Sequence, residues 1–278
     1  MGNRMRLPAL LLCLFLSACI SIPTPAERTQ SAEQLVASHG WKSQLLKTNE
    51  YDLVAFSPMP MPAGEILTVY IEGDGFAWIS SSQPSSNPTP INHLALKLAL
   101  ADPLGDPVAY LGRPCQYVNN DKRCKQSAWT NRRFSRQVIN ASSQAIDQLK
   151  QQSGASRLRL VGFSGGGAVA ALLAAQRNDV SMLITVAGNL DHKTWSKHHR
   201  LTPLRGSLNA ADAWQDLQAI PQIHFVGGKD KSVPPLVANA YRSRFPSSSK
   251  PSIQLLPEFG HHCCWVNEWP RLARATIE

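Results

Sequence analysis

The chain's most informative stretch is RLRLVGFSGGGAVAALL, residues 157–173. Its first residues form a short apolar run typical of a buried strand, and the Ala- and Leu-rich part from residue 168 onward is typical of a helix. Between them stands Gly-x-Ser-x-Gly, with Ser164 at its centre. A turn this sharp strains the serine backbone and leaves room only for glycine beside it. The pattern predicts a strand, a tight turn and a helix whose N-terminal N–H groups lie near the Ser164 hydroxyl.

Strand-like and helix-like segments alternate along the rest of the chain. Only Asn49 and Glu50 join the first two strands, so these should be antiparallel neighbours, whereas the later strands are short, apolar and separated by helices. We therefore predict an α/β fold with a doubly wound, mostly parallel eight-stranded sheet. The predicted strands are Ser43–Thr48, Tyr51–Phe56, Ile66–Ile71, Val108–Leu111, Arg157–Phe163, Met182–Val186, Gln222–Val226 and Ser252–Leu256. The predicted helices are Ser31–Ala37, Ile91–Ala101, Phe134–Gln152, Gly166–Arg177, Ala210–Leu217, Pro235–Phe245 and Trp265–Ile277.

Length and composition indicate a single folded body. The chain has 278 residues, of which 43% are hydrophobic, enough for one substantial core. The charged fraction of 17% argues against disorder and against a coiled coil. A formal net charge of +9 suits an anionic neighbourhood. We expect no nucleic-acid partner, because the sequence has no Lys/Arg run, no zinc-finger spacing and no interleaving of basic and aromatic residues.

The N-terminus predicts export. Two arginines precede a short apolar stretch at residues 7–16, too short to span a bilayer as a mature helix. The following Leu16-Ser17-Ala18-Cys19 resembles the lipobox of bacterial lipoproteins. That resemblance implies cleavage after residue 18 and acylation of Cys19, which anchors a protein stably. Ile20 fits sorting to the outer membrane, facing the periplasm; the alternative is an ordinary signal peptide with an incidental cysteine. We expect a signal peptide at 1–18, a lipidated tether at 19–30 and a folded domain at 31–278.

Four cysteines remain in the exported body: Cys115, Cys124, Cys263 and Cys264. In an oxidising compartment four cysteines favour two disulfides, with three possible pairings. A Cys115–Cys124 bridge would close a short polar loop and leave Cys263 with Cys264. Because a bridge between adjacent cysteines is strained, crossed pairing between the two groups stays open.

The mature sequence resembles the α/β-hydrolase superfamily over nearly all of its length, and within it a bacterial lipoprotein serine hydrolase. In that superfamily the catalytic order is Ser, acid, His, with the acid after the seventh strand and the His after the eighth. The resemblance therefore assigns Ser164 as nucleophile, Asp230 as the orienting acid and His261 as the base. Asp191, after the sixth strand, is the alternative acid, and His262 is the alternative base.

The same resemblance implies an oxyanion hole built from two backbone N–H groups. One belongs to Gly165, directly after the nucleophile. The other should follow the third strand, where the N–H of Asp74 is the first candidate and that of Gly75 the second. Members of the superfamily usually have a His where this chain has Glu72, so the surroundings of the hole should differ. Residues 189–209 stand where relatives insert a lid, and their shortness predicts a small cap over an open pocket.

The expected activity is hydrolysis of a carboxylic ester or thioester through an acyl-enzyme, with a small-molecule or lipid acyl substrate. The alternatives are an amidase or peptidase using the same triad, or a surface scaffold that keeps the fold without chemistry. No cofactor is implied, and none of the motifs predicts a metal, since four adjacent residues such as His261-His262-Cys263-Cys264 cannot surround one tetrahedral ion.

Overall fold

The computed structural model describes residues 22–118 and 121–277. The predicted signal peptide and Cys19 lie outside these residues. The strands are β1 Trp41–Leu46, β2 Leu53–Pro58, β3 Ile66–Ile71, β4 Val108–Leu111, β5 Arg157–Phe163, β6 Val180–Val186, β7 Gln222–Gly227 and β8 Ser252–Leu256. The α-helices are α1 Pro25–Ala37, α2 Leu94–Leu100, α3 Arg136–Ser153, α4 Gly165–Gln176, α5 His192–His198, α6 Trp214–Leu217, α7 Pro235–Arg242 and α8 Trp265–Arg274.

All eight predicted strands pair in one sheet, in the order β1-β2-β4-β3-β5-β6-β7-β8. Strand β2 is antiparallel to both β1 and β4, and every other neighbouring pair is parallel. This confirms the predicted mostly parallel, eight-stranded α/β architecture. Because the parallel strands all end at the same edge, the loops after β3, β5, β7 and β8 meet there.

The sheet separates two layers of core. Along β5, Leu158 and Leu160 join the cluster that includes residues of α3, α4 and α7, while Val161 and Phe163 join the cluster of α1, α2 and α8. This alternation is the period-two pattern of a strand with both faces covered. Each fully buried Leu contributes roughly 1.5–3 kcal/mol relative to an exposed one, so β5 is held firmly from both sides.

Helix α1 begins earlier than the sequence predicted. It starts at Pro25, so residues 25–30, which were assigned to the tether, are helical. Thr24 accepts a hydrogen bond from the Glu27 N–H through its side chain, and the Glu27 carboxylate accepts one from the Thr24 N–H at 2.7 Å. This capping box, with proline at the first helical position, sets the start of the helix.

The predicted cap at residues 189–209 contains one short helix, α5, which the sequence analysis did not separate from its loop. Residues 210–217, predicted as one helix, form a 3-10 turn followed by the short α6. The four cysteines pair locally, Cys115 with Cys124 and Cys263 with Cys264, rather than crosswise. Over the described residues, no helix combines the length and the apolar character that crossing a bilayer requires.

Candidate active site

Ser164 occupies the turn between β5 and α4, with φ 51° and ψ −120°. A positive φ is costly for a residue with a side chain, and such strain is held only where the packing around it fixes the turn. Close backbone packing fixes the turn at Ser164, because a Cβ on Gly166 would lie 2.2 Å from the Ile71 carbonyl oxygen. Helix α4 therefore lies directly against the end of β3, and Ser164 stands at the N-terminus of the helix.

The side chains of Ser164, His261 and Asp230 form one hydrogen-bonded chain. The Ser164 Oγ lies 3.0 Å from His261 Nε2, and His261 Nδ1 lies 2.8 Å from Asp230 Oδ2. The Asp230 carboxylate is fully buried, while the imidazole keeps a little exposure. The other oxygen of Asp230 accepts the backbone N–H groups of Ser232 and Val233, each at 2.8 Å. These bonds fix the carboxylate so that His261 holds its proton on Nδ1 and presents a free lone pair to the serine.

The two alternative residues are placed elsewhere. Asp191 caps α5, accepting the backbone N–H groups of Lys193 and Thr194 and the side-chain amide of Asn209. His262 packs its ring against that of His261 at 4.9 Å between centroids. Burial and the neighbouring His261 lower the pKa of His262. The structure therefore brings Asp230 and His261, rather than Asp191 and His262, to the serine.

Two backbone N–H groups remain free beside the nucleophile. The N–H of Gly73 is already donated to the Glu72 carboxyl group at 2.8 Å. In the part of the chain that the structure describes, the N–H groups of Asp74 and Gly165 have no acceptor. The two residues touch, since a Cβ on Gly165 would lie 2.1 Å from Asp74 Oδ1. Gly75, the second candidate donor, follows in a turn with φ 64° and lines the same cavity.

Glu72 is fully buried behind this loop, in the position where the superfamily resemblance calls for a His. Burial raises its pKa to about 7, against hydrogen bonds from the Gly73 N–H and the Tyr110 hydroxyl that favour the charged form. The Tyr110 hydroxyl also contacts Tyr117, which bonds His93 Nδ1 at 2.9 Å. Burial lowers the pKa of His93 to about 4, so this histidine is neutral at neutral pH. Glu72 is the group of this network that titrates near neutrality.

Two buried arginines, which no sequence motif indicated, hold the side chain of Asp74. Arg133 lies 2.5 Å from Asp74 Oδ2 and Arg113 lies 3.4 Å from Oδ1, and both guanidinium groups are almost wholly buried. Arg113 also donates to the main-chain carbonyl of Arg133. Burial lowers the pKa of Arg113 to about 10, so it stays charged at neutral pH. The two guanidinium charges more than offset the single carboxylate charge next to the free N–H groups. No local motif indicates this contact, because residues 74, 113 and 133 are far apart in the chain.

A cavity of about 1030 Å³ opens above the triad. Its floor includes Ser164, His261, Asp74 and Phe163, and its walls include Trp78 and the cap residues Trp195 and Leu201. Trp129 does not line this cavity, since it is buried and its indole N–H donates to the Ser85 carbonyl. Within the described ranges, no three His, Cys, Asp or Glu side chains converge as metal ligands.

Comparison with known proteins shows which solved structures share this fold. No family model and no curated protein matches the chain. Among solved structures, Est1E from Butyrivibrio proteoclasticus has a TM-score of 0.58 and 12% identity, over 84% of this chain and 98% of that one. An α/β serine hydrolase homologue from Coxiella burnetii has a TM-score of 0.56 and 16% identity, over 85% and 95%. The Pyrococcus furiosus esterase Pf2001 has a TM-score of 0.56 and 12% identity, over 92% and 94%.

The chain has the α/β-hydrolase fold. Identities this low establish the architecture alone, so any activity has to be argued from the side chains. In this α/β-hydrolase fold the carboxyl edge of the sheet carries Ser164 after β5, Asp230 after β7 and His261 after β8. Three residues separated widely in the sequence thus meet under one cavity.

Proposed function

We propose that the protein is a serine hydrolase that cleaves carboxylic esters or thioesters through an acyl-enzyme. The observation that supports this most strongly is the chain of hydrogen bonds from Ser164 through His261 to Asp230 beneath an open cavity. The Pyrococcus furiosus esterase among the structural neighbours favours the same chemistry. His261 returns one proton to the leaving group of an ester or of an amide alike, so the preference for an ester rests on this neighbour and not on the triad.

In the first half of the reaction, Ser164 Oγ attacks the acyl carbon while His261 Nε2 takes its proton. The carbonyl oxygen becomes an oxyanion, which the N–H groups of Asp74 and Gly165 stabilise, at about 3 kcal/mol of barrier per donor. Collapse breaks the bond to the leaving group, which takes the proton from His261. In the second half, His261 removes a proton from water, the hydroxide adds to the acyl carbon and Ser164 is released with that proton.

The direct test is covalent labelling. Wild-type protein should react with a fluorophosphonate and hydrolyse a p-nitrophenyl ester, and Ser164→Ala should do neither. Ser81→Ala is the matched control, because Ser81 lines the same cavity away from the triad and should label like the wild type. Undiminished labelling of Ser164→Ala would refute the nucleophile assignment. A wild type that never labels would favour a scaffold, and faster turnover of amides than of matched esters would favour an amidase or peptidase.

We further propose that the enzyme is anchored through lipid on Cys19, in the cell envelope and facing the periplasm. The support is the lipobox-like sequence, which lies outside the described residues. Metabolic labelling with a palmitate analogue should mark the wild type and leave Cys19→Ala unlabelled. Equal labelling of both proteins, or of neither, would contradict the anchor.

A further inference from the structure

Large apolar side chains are exposed around the mouth of the cavity. Trp78 is 38%, Ile79 47%, Ile91 46% and Leu201 39% exposed. Trp78, Ile91 and Leu201 line the cavity itself, and Ile79 is the chain neighbour of Trp78. Single exposed apolar residues are ordinary on protein surfaces, but a cluster around one opening marks an interaction surface. We call these four residues the apolar rim.

Cations flank the rim. Lys197, Arg200 and Arg205 are exposed in and after α5, on either side of Leu201, and Lys231 is exposed on the cavity wall. In the described residues, none of these four cations pairs with a carboxylate, although the nearby Lys193 does. Apolar side chains ringed by long cationic ones suit the boundary of an anionic lipid layer, where the apolar groups enter the acyl region and the cations reach the headgroups.

The described chain also starts beside this mouth. The Arg28 side chain, one turn into α1, donates to the carbonyls of Asn87 and Thr89 and lies 5.1 Å from the centre of the Phe76 ring. Phe76 lines the cavity, as does Pro90, the residue after Thr89. Five peptide steps separate Cys19 from Thr24, which span at most roughly 18 Å. An anchor on Cys19 would therefore hold the membrane close to the rim.

We infer that the apolar rim and its four cations form a docking face that seats the cavity mouth on an anionic phospholipid bilayer. The closeness of the membrane to the rim depends on the lipid anchor on Cys19 that is proposed above. Substrate then enters the cavity from the lipid layer, so the acyl donor is a membrane-dissolved or membrane-bound ester. A nucleic acid would bind the cations but leave the apolar rim in water. Binding to a protein partner would not depend on the charge of the lipid.

Tryptophan quenching tests the docking directly. The processed, lipidated protein is reconstituted into vesicles of phosphatidylglycerol and phosphatidylethanolamine that carry bromine on their acyl chains. Trp78 is exposed on the rim, and the other tryptophans in the chain are buried or half-buried. Bromolipid should quench part of the wild-type emission, and Trp78→Phe should lose that part. Equal quenching in both proteins, or none in the wild type, would overturn the proposal.

A second arm measures activity on two esters, one soluble and one embedded in the same vesicles. Ile79→Ser with Arg200→Gln and Arg205→Gln should hydrolyse the soluble ester like the wild type. The embedded ester should be cleaved more slowly, by roughly fivefold for each cation removed at an anionic surface. Leu45→Ser with Lys42→Gln, exposed on the edge strand β1, is the control: it removes one apolar side chain and one cation away from the rim and should be unaffected. Equal loss on both esters, or equal loss in the control, would overturn the docking face.

The two proposals fail separately. If the wild type cleaves neither ester while Trp78 is still quenched, the hydrolase assignment fails and the docking face stands. If both esters are cleaved at rates that neither the rim variant nor phosphatidylcholine vesicles alter, the docking face fails and the hydrolase stands.

Discussion

Replacing Glu72 by Gln should change how the stability of the protein depends on pH. The Glu72 carboxyl group is 1% exposed, accepts the Gly73 N–H at 2.8 Å and the Tyr110 hydroxyl at 3.2 Å, and has its pKa raised by burial to about 7. In the unfolded chain the pKa returns to the ordinary value of 4.5. The folded state therefore binds more protons than the unfolded state between these two values.

The sign follows from this difference. The contribution of Glu72 to stability is complete below pH 4.5 and is lost as the pH rises through about 7. Integrated from about pH 5 to about pH 8, the free energy of unfolding should fall by roughly 2–3 kcal/mol because of this one group. The glutamine has nearly the same shape, keeps an oxygen for the Gly73 N–H and does not ionise, so it should lack that fall.

Urea denaturation of both proteins at several pH values, with disulfides intact, measures the effect. Every other titrating group is common to the two proteins, so the difference between their free energies of unfolding isolates Glu72. The variant should gain roughly 2–3 kcal/mol of stability on the wild type over this pH range. Parallel stability curves would refute the reasoning, because they would mean that Glu72 titrates alike in the folded and unfolded chains.

Three further outcomes test other parts of the structure. Asp230→Asn should lower kcat about 10⁴-fold, because the proton of His261 is then no longer held on Nδ1. Asp191→Ala should leave kcat unchanged and cost about 1–2 kcal/mol of stability, because a helix cap is lost. The reverse pattern in steady-state kinetics would assign the acid to residue 191. Gly166→Ala should destabilise the fold by roughly 1–3 kcal/mol, since its Cβ would clash with the Ile71 carbonyl oxygen. A denaturation midpoint equal to that of the wild type would show that the turn can accommodate the added methyl group. Replacing Cys115 and Cys124 by Ala should cost about 2.5 kcal/mol in the same assay by freeing the loop in the unfolded chain, and no loss would mean that the bridge constrains little.

The number of strands and the mostly parallel sheet were predictable because the signal of each strand is local, whereas the placement of β4 between β2 and β3 was not predicted. Short apolar runs separated by helical segments gave all eight strands, and the turn chemistry around Ser164 located the sharpest bend in the chain. The residues that follow β7 and β8 could be nominated in the same way, since parallel strands must end at one edge. What the sequence could not supply was the choice between Asp230 and Asp191, which depends on which loop reaches His261.

The start of α1 was missed although its signal was present. Pro25 lies in the tether expected at residues 19–30, but proline at the first helical position after a Thr cap is compatible with a helix. The ion pairs of Asp74 with Arg113 and Arg133 had no such signal. Nothing in the local pattern around an arginine tells whether it meets a carboxylate from a distant loop, so buried long-range pairs of this kind need coordinates.

Trp195 in the cap helix touches both sides of the nucleophile. Its ring lies 5.7 Å from the guanidinium of Arg133, the partner of Asp74, and its indole N–H donates to the Ser232 carbonyl at 2.7 Å. Ser232 in turn donates its N–H to Asp230. In the proposed mechanism, an outward movement of α5 would loosen both the arginine that holds Asp74 and the loop that fixes Asp230. We therefore expect α5 to stay in place, and reactants and products to pass through the mouth of the cavity that is already open.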